Sequence, residues 1–155
     1  MTQEEALARL AESRQTLHQA IEGLSEEEMT QPQVEGVWTI KDVLGHIASW
    51  EETCLEPLQR YADGGPFEVE VIEDYLAWND EKAARKRDIP LDAILDELAT
   101  VRQGLLEAAS RLSAGQWKQR VPFSWGGQGT IAEVLHVFYQ HELEHVRSIQ
   151  RWRRG

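Results

Sequence analysis

The sequence has one cysteine, Cys54, in 155 residues. That excludes an internal disulfide and every cysteine-based zinc pattern, and it fits a reducing compartment. Cations are also in short supply: 16 Lys and Arg stand against 27 Asp and Glu, a net charge of −11. Phosphate backbones repel such a surface, so general nucleic-acid binding is not expected. No apolar run approaches the ~20 residues that a membrane span requires. The N-terminal stretch MTQEEALARLAESR is acidic and amphipathic, unlike a signal or transit peptide. The simplest compartment is the cytoplasm. Convincing strand alternation is missing as well; the best candidate, EVEVIED at 68–74, is short and acidic. No repeat or low-complexity tract breaks the chain, which reads as one domain over 1–155.

What is present is helical periodicity. A capping box at Thr2 and Glu5 opens the first helix, with Leu7, Leu10, Arg14, Leu17, Ile21 and Leu24 along one side and Gly23 as its stop. SEEEM (25–29) adds a turn, and QPQVEG reads as a loop. Thr39 and Asp42 cap a second helix that runs to about Ala62, with a kink expected at Pro57. DGGP (63–66) breaks the chain. A shorter helix is predicted over Ile72–Arg87, its apolar face made by Ile72, Tyr75, Leu76 and Ala83. The third long helix spans Leu91–Leu112, SAGQW adds a turn, and VPFSWGGQG (121–129) is a loop. Thr130 and Glu133 cap the last helix, whose stripe reads Ile131, Val134, Leu135, Phe138, His141, His145, Ile149, Trp152. Four long amphipathic helices and a short extra helix between the second and third predict an all-α four-helix bundle. Arg147, Arg151, Arg153 and Arg154 crowd the last turns, where cations complement the helix dipole.

His141 and His145 take positions in that last stripe where an apolar residue is expected. Both imidazoles should therefore face inward, and buried ring nitrogens need partners. At i,i+4 the pair lies ~40° apart around the axis and ~6 Å along it, so the rings converge. His46, between Val43 and Trp50 on the second helix, is a third inward histidine. Three neutral imidazoles suit Zn²⁺, and also Ni²⁺, Fe²⁺ or Cu²⁺, with a fourth position left for water or a substrate atom. Residues 141–145 spell H-E-x-x-H, a zinc-protease pattern, but VRSIQRWRRG after it holds no His, Asp, Glu or Cys. The third ligand is expected from upstream, and the protease reading fails. Glu142, ~100° around the helix from His141, is expected to be solvated, or to orient a ligand or act as a base from outside the coordination sphere. Asp42 is a second candidate for that role. Trp38, Trp50 and Trp125 are candidate substrate-lining residues, with Trp50 also a core candidate. His18 and His136 read as structural, His18 as half-buried. Cys54 reads as a buried, inert thiol too far along the helix to share an ion with His46.

Trp38-Thr39, Asp42, GHIASWEE with His46, and HELEH near the C-terminus together resemble the DinB/YfiT-like proteins, over essentially the whole chain. The resemblance implies an up-down-down-up four-helix bundle, often a homodimer, with a divalent metal, commonly zinc or nickel, on His46, His141 and His145. Among its members are mycothiol-dependent maleylpyruvate isomerase and transferases that use mycothiol or bacillithiol. It therefore implies a metal-dependent transferase or isomerase, with a low-molecular-weight thiol (mycothiol, bacillithiol or glutathione type) as co-substrate. The alternatives are a non-catalytic dimeric metal- or ligand-binding stress-response protein, and a metal-dependent hydrolase. The expected partners are small molecules, not nucleic acid or membrane.

Overall fold

The computed structural model describes all residues, Met1–Gly155. The four long helices are α1 (Gln3–Ile21), α3 (Ile40–Glu52), α6 (Leu91–Ser110) and α8 (Ile131–Arg154). Shorter helices are α2 (Glu26–Thr30), α4 (Leu55–Ala62), α5 (Tyr75–Lys86) and α7 (Ala114–Lys118). In the bundle α1 packs on α8 and α3 on α6, and α3 also touches α8. No helix is long and apolar enough to cross a membrane.

The expected capping boxes form. Thr2 with Glu5, Thr39 with Asp42 and Thr130 with Glu133 each satisfy two N-terminal amides. Gly23, at φ 79°, leaves α1 through the left-handed region that favours glycine. Arg153 Nη1 then donates to Ala20 O at 2.9 Å and Glu22 O at 2.8 Å, tying the end of α8 to the free carbonyls of α1.

Four expectations need correction. The second helix is two helices: α3 ends at Glu52, and α4 carries Pro57 in its first turn. Proline in a first turn removes no needed amide, whereas its ring would clash with a helical carbonyl four residues back, so the break falls at Thr53-Cys54. QPQVEG is not wholly a loop: β1 (Gln33–Glu35) pairs antiparallel with β2 (Trp38–Thr39), turning at Gly36. Likewise β3 (Val121–Pro122) and β4 (Gln128–Gly129) make a small hairpin within VPFSWGGQG. Finally, α5 starts at Tyr75 behind the Asp74 cap, and Tyr75 and Leu76 are 56 % and 64 % exposed. The helix instead turns Trp78, Asn79, Lys82, Ala83 and Lys86 inward, and α3 is the neighbour it packs on. EVEVIED forms no strand; Phe67 and Val69 just point inward between exposed glutamates.

The core is in two parts. One gathers Ala6 and Leu10 of α1, Leu58 of α4, Leu105 of α6 and Leu135 and Phe138 of α8. The other gathers Leu17 of α1, Val43 and Ile47 of α3, Ile94 and Leu98 of α6, and Val146 and Ile149 of α8. Between them every long helix supplies a charged side chain. Arg102 grips both oxygens of Glu51 at 2.8 Å and reaches Glu142 Oε1 at 3.0 Å. Arg14 Nε donates to Glu142 Oε2 at 2.6 Å, and Ser13 Oγ donates to Oε1 at 2.5 Å. Arg102 Nη1 and Arg14 Nη1 donate to Leu10 O and Leu98 O. Two cations and two anions thus share hydrogen bonds in a layer where isolated charges would be costly.

Candidate metal site

The inward line of α8 runs Phe138, Glu142, Val146, Ile149, and the two histidines stand beside it. Glu142 is therefore not solvated, as its position beside His141 suggested; it is 0 % exposed. Burial pushes its carboxyl pKa up, but Arg102 and Arg14 outweigh burial and hold it below the usual range. Its oxygens are committed to the charged layer, accepting from Ser13, Arg14 and Arg102. Asp42 is committed too, as the cap that accepts from Thr39 N at 3.0 Å.

The three rings come together. His46 Nε2 lies 3.0 Å from His141 Nε2, and His145 Nε2 lies 3.1 Å from the same atom. Ring centroids are 4.6–4.8 Å apart. Tetrahedral bonds of ~2.0–2.1 Å place neighbouring donor atoms about 3.3 Å apart, close to the two spacings to His141, and all three donor atoms lie within 4.8 Å of one another. Burial, then the neighbouring imidazoles, pushes the His46 pKa down to about 2 and that of His141 down to about 4. Both rings are thus neutral at neutral pH, the form in which imidazole binds a cation.

Glu35 supplies what Glu142 and Asp42 do not. His145 Nδ1 donates to Glu35 Oε1 at 2.8 Å. That bond leaves the His145 Nε2 lone pair facing the other two rings, the usual arrangement of a ligating histidine. Burial pushes the Glu35 pKa up, but hydrogen bonds from His145 and Ser148 bring it below the ordinary carboxylate value. In sequence Glu35 lay in an apparent loop; only the hairpin of β1 and β2 brings it against α8.

The rings open onto a cavity of about 410 Å³, within the usual range for small-molecule sites. Trp38, Trp50 and Trp125 all line it, joined by Tyr75, Asn79 and Phe138. Trp38 lies 4.6 Å from the His46 ring, and Trp50 is held by Nε1–H donation to Asn79 Oδ1 at 2.9 Å. The remaining titratable candidates lie elsewhere. His18 is exposed, and His136 stacks on Tyr139 with Arg9 beside it. Cys54 is buried next to Thr53 and Ser124, and burial pushes its thiol up to about 11.

A profile of the DinB superfamily matches residues 9–149. The chain belongs to the DinB superfamily. Solved structures share the fold at low identity. A mycothiol-dependent maleylpyruvate isomerase superposes with TM-score 0.78 at 15 % identity over 96 % of this chain. The chain spans 61 % of that isomerase's length. YfiT from Bacillus subtilis, described as a probable metal-dependent hydrolase with an unusual four-helix bundle topology, matches with TM-score 0.74 at 18 % identity, over 99 % of this DinB-superfamily chain and 89 % of YfiT. TT2238, a four-helix bundle protein, matches with TM-score 0.67 at 23 % identity, over 96 % and 98 % of the two chains. No curated protein matches the sequence.

Proposed function

We propose that this DinB-superfamily protein is a divalent-metal-dependent enzyme that brings a low-molecular-weight thiol to an electrophile, as a transferase or isomerase. The observation that carries the reading is the convergence of His46, His141 and His145 on one point in the wall of an aromatic cavity. The donor set fits zinc or nickel. Bound there, such an ion supplies Lewis acidity and lowers the pKa of a thiol or water in its open position. The chain's part is to hold and to shield. Glu35 keeps the His145 ring in one tautomer, and the tryptophans exclude water and seat the organic body of the ligand.

Hydrolysis is the second reading, supported by the description of YfiT. It needs a carboxylate free to take a proton from water. Glu142 is locked to Arg14, Arg102 and Ser13, and Glu35 is engaged by His145, which leaves Glu144, an exposed residue of the cavity wall, as the one carboxylate there without a partner. A thiol activated by the ion needs no such base, which favours the first reading.

Elemental analysis of the purified protein beside His145→Ala tests the site. Stoichiometric zinc or nickel is expected in the parent chain and its loss in the variant. The metal-loaded protein is then assayed for transfer of mycothiol, bacillithiol or glutathione to a model electrophile. Bound metal with no turnover of any thiol overturns the thiol-transfer reading and leaves hydrolysis or a metal-binding module.

A further inference from the structure

Asn79 is the single asparagine of the chain, and it stands in the wall of the chamber. It comes from α5, one turn after Tyr75, which also lines the chamber. Trp50 fixes its orientation. An indole N–H can only donate, so the Asn79 atom that it meets at 2.9 Å is the carbonyl oxygen, Oδ1. The ring of Trp78 packs on Trp50 at 4.4 Å and steadies that donor. The amide NH₂ of Asn79 therefore points away from Trp50. Nothing in the chain accepts from it. It is not sealed in either, because the one buried side-chain nitrogen or oxygen without a partner is Arg14 Nη2. Asn79 thus offers two unspent N–H bonds to open space at the chamber wall.

The metal reading leaves those donors unused. A neutral amide NH₂ has no lone pair to give an ion, and it does not repel a thiolate held on one. Its complement is an oxygen that only accepts, as a carbonyl does. Glu35 and Glu144, as carboxylates, are acceptors and cannot serve such an oxygen. We infer that Asn79 is a specificity-determining residue that donates to a carbonyl oxygen of the organic molecule seated in the chamber, its donors aimed by Trp50. The inference rests on the chamber being the ligand site of the proposed enzyme. The carbonyl belongs either to the electrophile or to an amide of the thiol co-substrate.

Labelling the full chain with ¹⁵N-amide asparagine gives an NMR spectrum with one side-chain NH₂ pair, that of Asn79. A chelator is present and circular dichroism confirms the helical fold. Elemental analysis and thiol turnover decide the metal reading, and the chelator keeps this test independent of both. The probes are matched in size: acetophenone with α-methylstyrene, and N-acetylcysteamine with pentanethiol, the first of each pair carrying the carbonyl. The carbonyl probe is expected to move the Asn79 pair downfield, well beyond the effect of its match. A response to acetophenone assigns the bond to the electrophile, and a response to N-acetylcysteamine assigns it to the thiol; either sustains the inference. Asn79→Asp keeps an acceptor for Trp50 and removes both donors. Followed by ligand-observed NMR, the affinity of the responding carbonyl probe relative to its match is expected to fall about fivefold in that variant. The inference is overturned if neither carbonyl probe moves the pair more than its match does, or if Asn79→Asp leaves the relative affinity unchanged.

Discussion

Glu35 and Cys54 illustrate how burial and partners set what one side chain can do. Glu35 does not face the converging nitrogens itself; it acts by fixing the ring of His145. Removing such a partner commonly costs 10–100-fold in metal affinity. Glu35→Gln should show a loss of about that size in a zinc competition titration, with the helical content of the parent chain. Unchanged affinity would mean that packing alone orients His145. Cys54 has the opposite character. Its thiol is buried and titrates near 11, against 9.0 for a free thiol. The native state keeps the proton that the unfolded chain releases. This group's contribution to stability is therefore whole below pH 9 and drains away as pH rises toward 11. Urea melts at pH 8 and pH 10.5 should show a steeper alkaline loss for the parent than for Cys54→Ala. Iodoacetamide at pH 8 should leave the folded thiol unmodified.

At the scale of elements, the long helices were legible because their caps and apolar spacings are local. Thr2, Thr39 and Thr130 mark three helix starts, and His46, His141 and His145 stand out because imidazoles replace expected apolar residues. What was hidden is what depends on pairing. Glu35 reaches His145 only through a hairpin of five strand residues, too short to leave an alternating pattern. The stripe through His141 and His145 hides Glu142, which with Phe138, Val146 and Ile149 forms the buried line of α8. Arg14 lies in the stripe of α1, but its partners come from α3, α6 and α8, which no local pattern reveals. Arg102 is the tie with most bonds, joining α6 to α1, α3 and α8. Arg102→Ala leaves buried Glu51 with only Arg14 Nη2 at 3.6 Å and takes one donor from Glu142, so a loss of about 3–5 kcal/mol is expected in chemical denaturation. A loss under about 1 kcal/mol would show that water or Arg14 takes over the role.

For the whole molecule, the charged layer divides one hydrophobic core into two and lies directly behind the histidine site on α8. Hydrophobic packing alone tolerates sliding of one helix along another, whereas a layer with fixed donors and acceptors favours one register. Glu142 is the residue next to His141, so the bonds that hold it also set where the ring of His141 stands. A variant with Arg14→Met, Glu51→Leu, Arg102→Met and Glu142→Leu separates stability from position. Apolar replacement of a complete buried ionic set is often neutral or stabilising by about 1–4 kcal/mol, so its thermal midpoint should equal or exceed that of the parent, in contrast to Arg102→Ala. Its zinc affinity should nevertheless fall, because α8 is then free to settle without regard to the rings of His141 and His145. Parental affinity in a variant of raised stability would show that the three imidazoles are placed by packing and by Glu35, with the layer contributing nothing to the site.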